Sequence, residues 1–162
     1  MSSVHGRATT KAEATIDFVL VLMAREGGAW VEAASHSMSP LIQPGDRLRV
    51  SALGPTGARP GTIVAYRRGE ALIVHRLLAV TPAGLVTKGD ALTDHDVPVA
   101  AGEIVGRVTA IRSPSGRLLD LERAPWPRIG RALAHVARMS GSNPIVWRAL
   151  RIPFYLAASL GR

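Results

Sequence analysis

Between Trp30 and Leu121 the chain is cut into short apolar runs, each bounded by glycine, proline or a small polar cluster. That punctuation, recurring roughly every ten residues, narrows the choice of fold more than anything else in the chain. The runs are too short for independent helices and suit strands. They predict strands over Trp30 to Ala34, Leu48 to Ala52, Thr62 to Tyr66, Ala71 to Val80, Leu85 to Thr87, Glu103 to Arg112 and Arg117 to Leu121. Turn residues sit between them, at Gly54 to Gly61, Arg67-Arg68-Gly69-Glu70, Pro82-Ala83-Gly84 and Ser113-Pro114-Ser115-Gly116. The expected body, residues 29–122, is therefore all-β and barrel-like or a sandwich.

The flanks read differently. Thr10-Lys11-Ala12-Glu13 has the form of a capping box, and a helix from Lys11 to Glu26 should follow and stop at Gly27-Gly28. Its apolar run, Phe18 to Ala24, is far below the roughly 20 residues that span a bilayer, and a helix buried on the protein's own core is expected. After residue 122, Pro125 and Pro127 break the strand pattern. Arg128, Arg131, His135 and Arg138 then recur on one helical face, with Ile129, Leu133 and Val136 on another. A second helix is expected over Ile145 to Leu160, kinked at Pro153. The chain thus divides into an N-terminal helix (1–28), a β-rich domain (29–122) and a basic helical tail (123–162).

At 47% hydrophobic residues, the 162-residue chain is a folded protein, and with only 4% aromatics its core must be aliphatic. There is no cysteine, which excludes disulfides, thiol catalysis and Cys-ligated metal. The net charge of +8 is unevenly spread: residues 1–122 hold 13 Lys/Arg and 12 Asp/Glu, whereas residues 123–162 hold seven arginines and no acid. The excess therefore belongs to the tail. Basic helices of this kind either fold onto the barrel with their arginines facing solvent or suit an anionic membrane surface or an acidic partner. Non-specific contact with nucleic acid is the less favoured reading, and a DNA-reading repressor is not expected, since no helix-turn-helix is evident.

One polar stretch is rarer than the rest: Ser35-His36-Ser37-Met38-Ser39-Pro40, with Gly45-Asp46 beyond it and a strand after that. It resembles the nucleophile segment of type I signal peptidases and the related LexA-like proteases. Gly61-Thr62-Ile63-Val64-Ala65-Tyr66, then Ile73-Val74-His75-Arg76, is similar to the branch of that family found in archaea and the endoplasmic reticulum, which uses histidine where most bacterial members use lysine. Lys88-Gly89-Asp90, with Asp96 six residues on, resembles its Lys-Gly-Asp box. The resemblance covers roughly residues 30–110 and implies a signal-peptidase/LexA-like β-barrel.

On that resemblance Ser37 is the nucleophile, His75 the general base, Asp96 the acid that orients it, Ser35 an oxyanion donor, and Asp90 a support for the site. Asp94 is the alternative orienter. A serine hydroxyl needs such a base, a histidine base works best on a carboxylate, and the oxyanion needs donors. The residue between the two serines, often glycine in relatives, is His36, which bears on the shape of the loop. His36, His75, His95 and Asp96 lack the usual short metal-ligand spacings, so no metal and no cofactor is expected. The implied activity is serine endopeptidase cleavage of a leader or signal segment from a precursor peptide or preprotein, with small residues before the cut. Members of the family are normally membrane-anchored ahead of the motif. No such span is expected here, which places the chain in the cytoplasm or on a membrane surface. The rival is an inactive β-barrel module that binds peptides or a membrane surface.

Overall fold

Arg47 to Ser51 shows why the β pattern forms a sheet: Leu48 and Val50 are buried while Arg47 and Arg49 face solvent. The period-2 alternation of a half-buried strand is carried by alternate apolar and charged residues. In the computed structural model, which describes residues 11–54, 57–139, 152, 153 and 156, this strand is β2. It is preceded by helix α1 (Lys11–Glu26) and strand β1 (Ala29–Glu32). It is followed by β3 (Ile63–Arg68), β4 (Ala71–Thr81), β5 (Gly84–Lys88), a single 3-10 turn at Ala101–Glu103, β6 (Ile104–Arg112), β7 (Leu118–Asp120) and helix α2 (Trp126–Met139).

Among the described residues seven strands form one antiparallel sheet, six in the order β1-β2-β6-β3-β4-β5 and β7 paired to β6. Strand β6 is long enough to serve two partners on one edge: β3 pairs with Ile104 to Arg107, and β7 with Ala110 to Arg112. The sheet is not closed, because β1 and β5 stand at its two ends and do not pair with each other. Closure into a barrel is thus not seen. Alternation specifies strands, and their number and stagger decide closure.

Two apolar clusters lie against the sheet. One joins Leu48, Ile63, Val108 and Ile111 to Met38, Leu41 and Ile42 of the loop between β1 and β2. The other joins Val64, Tyr66, Leu77, Leu85 and Val99. Helix α2 supplies a third: Leu133, Ala134 and Ala137 cover Leu78 of β4, while Arg128, Arg131, His135 and Arg138 remain exposed. The first half of the basic tail is therefore packed on the sheet. Thr10 of the expected capping box and nearly all of the second tail helix lie outside the described residues.

Helix α1 matches the expected span but is only partly buried. Ile16 and Val19 are covered, whereas Phe18 is 62% exposed and Leu20 and Val21 are also open. A consecutive apolar run wraps around a helix, and only one face can meet β1. Among the described residues no helix is long and apolar enough to cross a membrane.

A candidate serine-hydrolase site

The loop between β1 and β2 is tied off at its base. The amide of Ala33 donates to Asp46 O at 2.8 Å, and that of Gly45 donates to Ala33 O at 2.9 Å. Gly45, at φ +86°, makes the left-handed turn that few other residues adopt. The Asp46 carboxylate accepts the Gln43 amide at 2.8 Å, so the Gly-Asp pair of the motif is structural. Inside the loop a tight turn carries Ser37, with Ser39 N donating to His36 O and Ile42 N to Met38 O. Met38 and Ile42 are each 2% exposed. Burying two such side chains contributes about 1.5–3 kcal/mol apiece, which fixes the turn while leaving Ser37 partly open.

Ser35 and Ser37 face each other. Their hydroxyls are 3.1 Å apart, and the Ser37 amide points to Ser35 Oγ at 3.5 Å. His36, the departure from the expected pattern, projects outward and lies 3.5 Å from Ser39 Oγ through its Nδ1. It stays clear of the pair it separates in sequence.

On β4, His75 is 6% exposed. Its Nδ1 lies 2.6 Å from Asp96 Oδ2. The same carboxylate oxygen accepts the Thr87 hydroxyl at 2.7 Å. The Tyr66 hydroxyl stands 3.4 Å from His75 Nδ1, with the two rings edge to face. Burial alone would raise the Asp96 pKa, but the hydrogen bonds from His75 and Thr87 outweigh it and hold the group below its ordinary value. Burial pushes the Tyr66 phenol up to about 12, so that it stays protonated. With a carboxylate on Nδ1, that nitrogen carries the proton and Nε2 is left as the basic one.

The three acids of the 88–96 loop have separate places. Asp96 meets His75, Asp90 is buried against Arg76, and exposed Asp94 takes a hydrogen bond from Thr93. This loop also holds the serine turn, since the Ala91 amide donates to Ser37 O at 2.8 Å. Serine turn and orienting acid are thus fastened to one loop. Among the described residues no hydrogen bond joins Ser37 to His75: the Ser37 hydroxyl is directed to Ser35. Nor does any group of three His, Asp or Glu side chains stand close enough to hold a metal.

Sequence reasoning missed Thr87, Tyr66 and Arg76. Thr87 had a signal: it shares a strand face with Leu85, is fully buried, and so placed a hydroxyl where only apolar groups were expected. Tyr66 ends the apolar run of β3, and nothing in that run announces its hydroxyl. No protein-family model matches the chain, and no curated protein matches it significantly.

Proposed function

We propose that this chain is a serine endopeptidase of the signal-peptidase type, which removes a leader or signal segment from a precursor through Ser37, His75 and Asp96. One observation carries the reading: a buried histidine is held by a carboxylate at 2.6 Å, and the loop bearing that carboxylate also grips the backbone of Ser37. In a free enzyme the bond from nucleophile to base is often long and tightens only with substrate bound.

In this reading His75 Nε2 takes the Ser37 hydroxyl proton as Oγ attacks the scissile carbonyl. The Ser37 amide and the Ser35 hydroxyl, which point at each other in the free chain, turn to the developing oxyanion. The imidazolium, stabilised by Asp96, gives its proton to the leaving amine, and water then releases the acyl group by the reverse sequence. The protein's own residues suffice for every proton transfer. A precursor peptide would bind in extended form as an added strand. The finer fold expectation, a signal-peptidase/LexA-like barrel, belongs to the same proposal, as does peripheral contact of the basic tail with a membrane.

The test is cleavage of precursor peptides carrying small residues before the cut by wild type, Ser37→Ala and His75→Ala. Each substitution should lower turnover about a thousandfold or more. Equal cleavage by all three proteins would refute the assignment. A wild type that binds such peptides without cutting them would leave the scaffold module as the function.

A further inference from the structure

Successive residues of a strand point to opposite faces, so His75 and Arg76 leave β4 in opposite directions. His75 meets Asp96 at one end of the 88–96 loop, and Arg76 meets Asp90 near the other. The Arg76 side chain is buried; its Nε donates to Asp90 Oδ1 at 2.8 Å and its Nη2 to Asp90 Oδ2 at 2.5 Å. Its Nη1 donates to Gly61 O at 2.9 Å. A planar guanidinium held on three sides has little freedom to rotate.

Asp90 lies between Gly89, which passes close to the serine turn, and Ala91, which holds it. Ala91 donates to Ser37 O, and Gly89 passes so close that an added Cβ would sit 2.7 Å from that oxygen. The Asp90 amide itself points to Met38 Sδ at 3.4 Å. At the far end of the chain of contacts, Gly61 abuts Gly130 of α2. A Cβ on Gly130 would lie 2.7 Å from Gly61 O and 3.2 Å from Arg76 Nη1. A glycine is needed on both sides for the helix to come this near.

We infer that Arg76 is a positioning residue for the serine turn, and that helix α2 sets the geometry of Arg76 through the Gly61–Gly130 contact. Docking of α2 fixes the Gly61 carbonyl, this carbonyl and Asp90 together fix the guanidinium, and Asp90 fixes the neighbouring Ala91 amide that holds Ser37. The basic tail thereby acts on the candidate site through Arg76, beside the packing of its Trp126 on the apolar cluster that holds Met38. The catalytic consequence rests on Ser37 being the nucleophile, whereas the coupling itself does not.

The experiment compares full-length wild type, Gly130→Ala, Arg76→Lys and His135→Gln, the last an exposed change on the same helix. Amide hydrogen exchange, read by NMR without substrate, follows Ala91 and takes the Leu85 amide, which donates to Val99 O, as the measure of global stability. Relative to Leu85, Ala91 should exchange about tenfold faster in Gly130→Ala and Arg76→Lys than in wild type, with His135→Gln like wild type. On a cleavable precursor peptide kcat should fall about a hundredfold at unaltered KM, because the turn is misplaced rather than the peptide lost. If Gly130→Ala does not fold, Arg76→Lys reports the same amide. Unaltered Ala91 exchange in a folded variant, or equal acceleration of Leu85, overturns the inference. A response at Ala91 in a protein that cleaves no peptide would leave the coupling standing and remove the peptidase reading.

Discussion

Replacing Asp96 by asparagine tests the candidate site most sharply, because one carboxylate oxygen accepts from two donors. Both His75 Nδ1 and the Thr87 hydroxyl are directed at Asp96 Oδ2, at 2.6 and 2.7 Å. An asparagine that sets its amide oxygen there keeps both bonds, and Thr87 favours that orientation since its hydroxyl needs an acceptor. The tautomer of His75 then survives, and what is lost is the charge opposite the imidazolium. Two unit charges about 4 Å apart at an effective dielectric near 20 interact by about 4 kcal/mol. Asp96→Asn should therefore lower kcat/KM about a thousandfold. Adding Thr87→Val frees the amide to flip and present its NH2 to Nδ1, which disfavours the productive tautomer, and the loss should deepen to about ten-thousandfold. The assay is initial-rate hydrolysis of a cleavable precursor peptide by the single and double variants, with exposed Asp94→Asn as the control that stays unchanged. Activity of Asp96→Asn within about tenfold of wild type would refute the role of Asp96. Equal single and double variants would refute the role given to Thr87.

Three further outcomes follow from the same contacts. Ser35→Ala should lower kcat about a hundredfold at unchanged KM if its hydroxyl donates to the oxyanion, as read from steady-state kinetics. The Asp96 pKa is depressed in the folded chain, so its contribution to stability is present above the unfolded carboxylate pKa, about 3.9, and is lost as pH falls through the lower folded value. Thermal melts of wild type and Asp96→Asn should accordingly differ at neutral pH and converge in strong acid. Arg76→Ala should cost about 3–5 kcal/mol in denaturant unfolding, because it leaves the buried Asp90 carboxylate without its guanidinium.

Local chemistry was legible because it is local. The alternation at Arg47 to Ser51, the apolar run of β3 and the Gly-Pro punctuation specify strands whatever surrounds them, and the span of α1 follows from its start and its Gly27-Gly28 stop. The Ser35 to Pro40 stretch marked the serine turn for the same reason: its rarity is a property of neighbours in sequence. The apolar run around His75 implied burial, and it is buried there, as is Arg76 on the opposite face of the strand.

What no count along the chain could settle was which distant groups meet. The six-residue spacing from Asp90 singled out Asp96 only by resemblance and left Asp94 as the alternative. Asp96 meets a histidine, Asp90 an arginine and Asp94 its neighbour Thr93, because the course of a single loop past β4 sorts them. The apolar face of α2 was legible, but how near it would come to the sheet turned on two glycines 69 positions apart, whose missing side chains let the backbones touch. Whether the sheet closed depended on strand stagger, which alternation does not encode. The sequence by itself determined the strands, the helices and the polar residues available for chemistry, since these depend on near neighbours. Only the tertiary structure decided their pairing, because a hydrogen bond depends on separation in space and on burial.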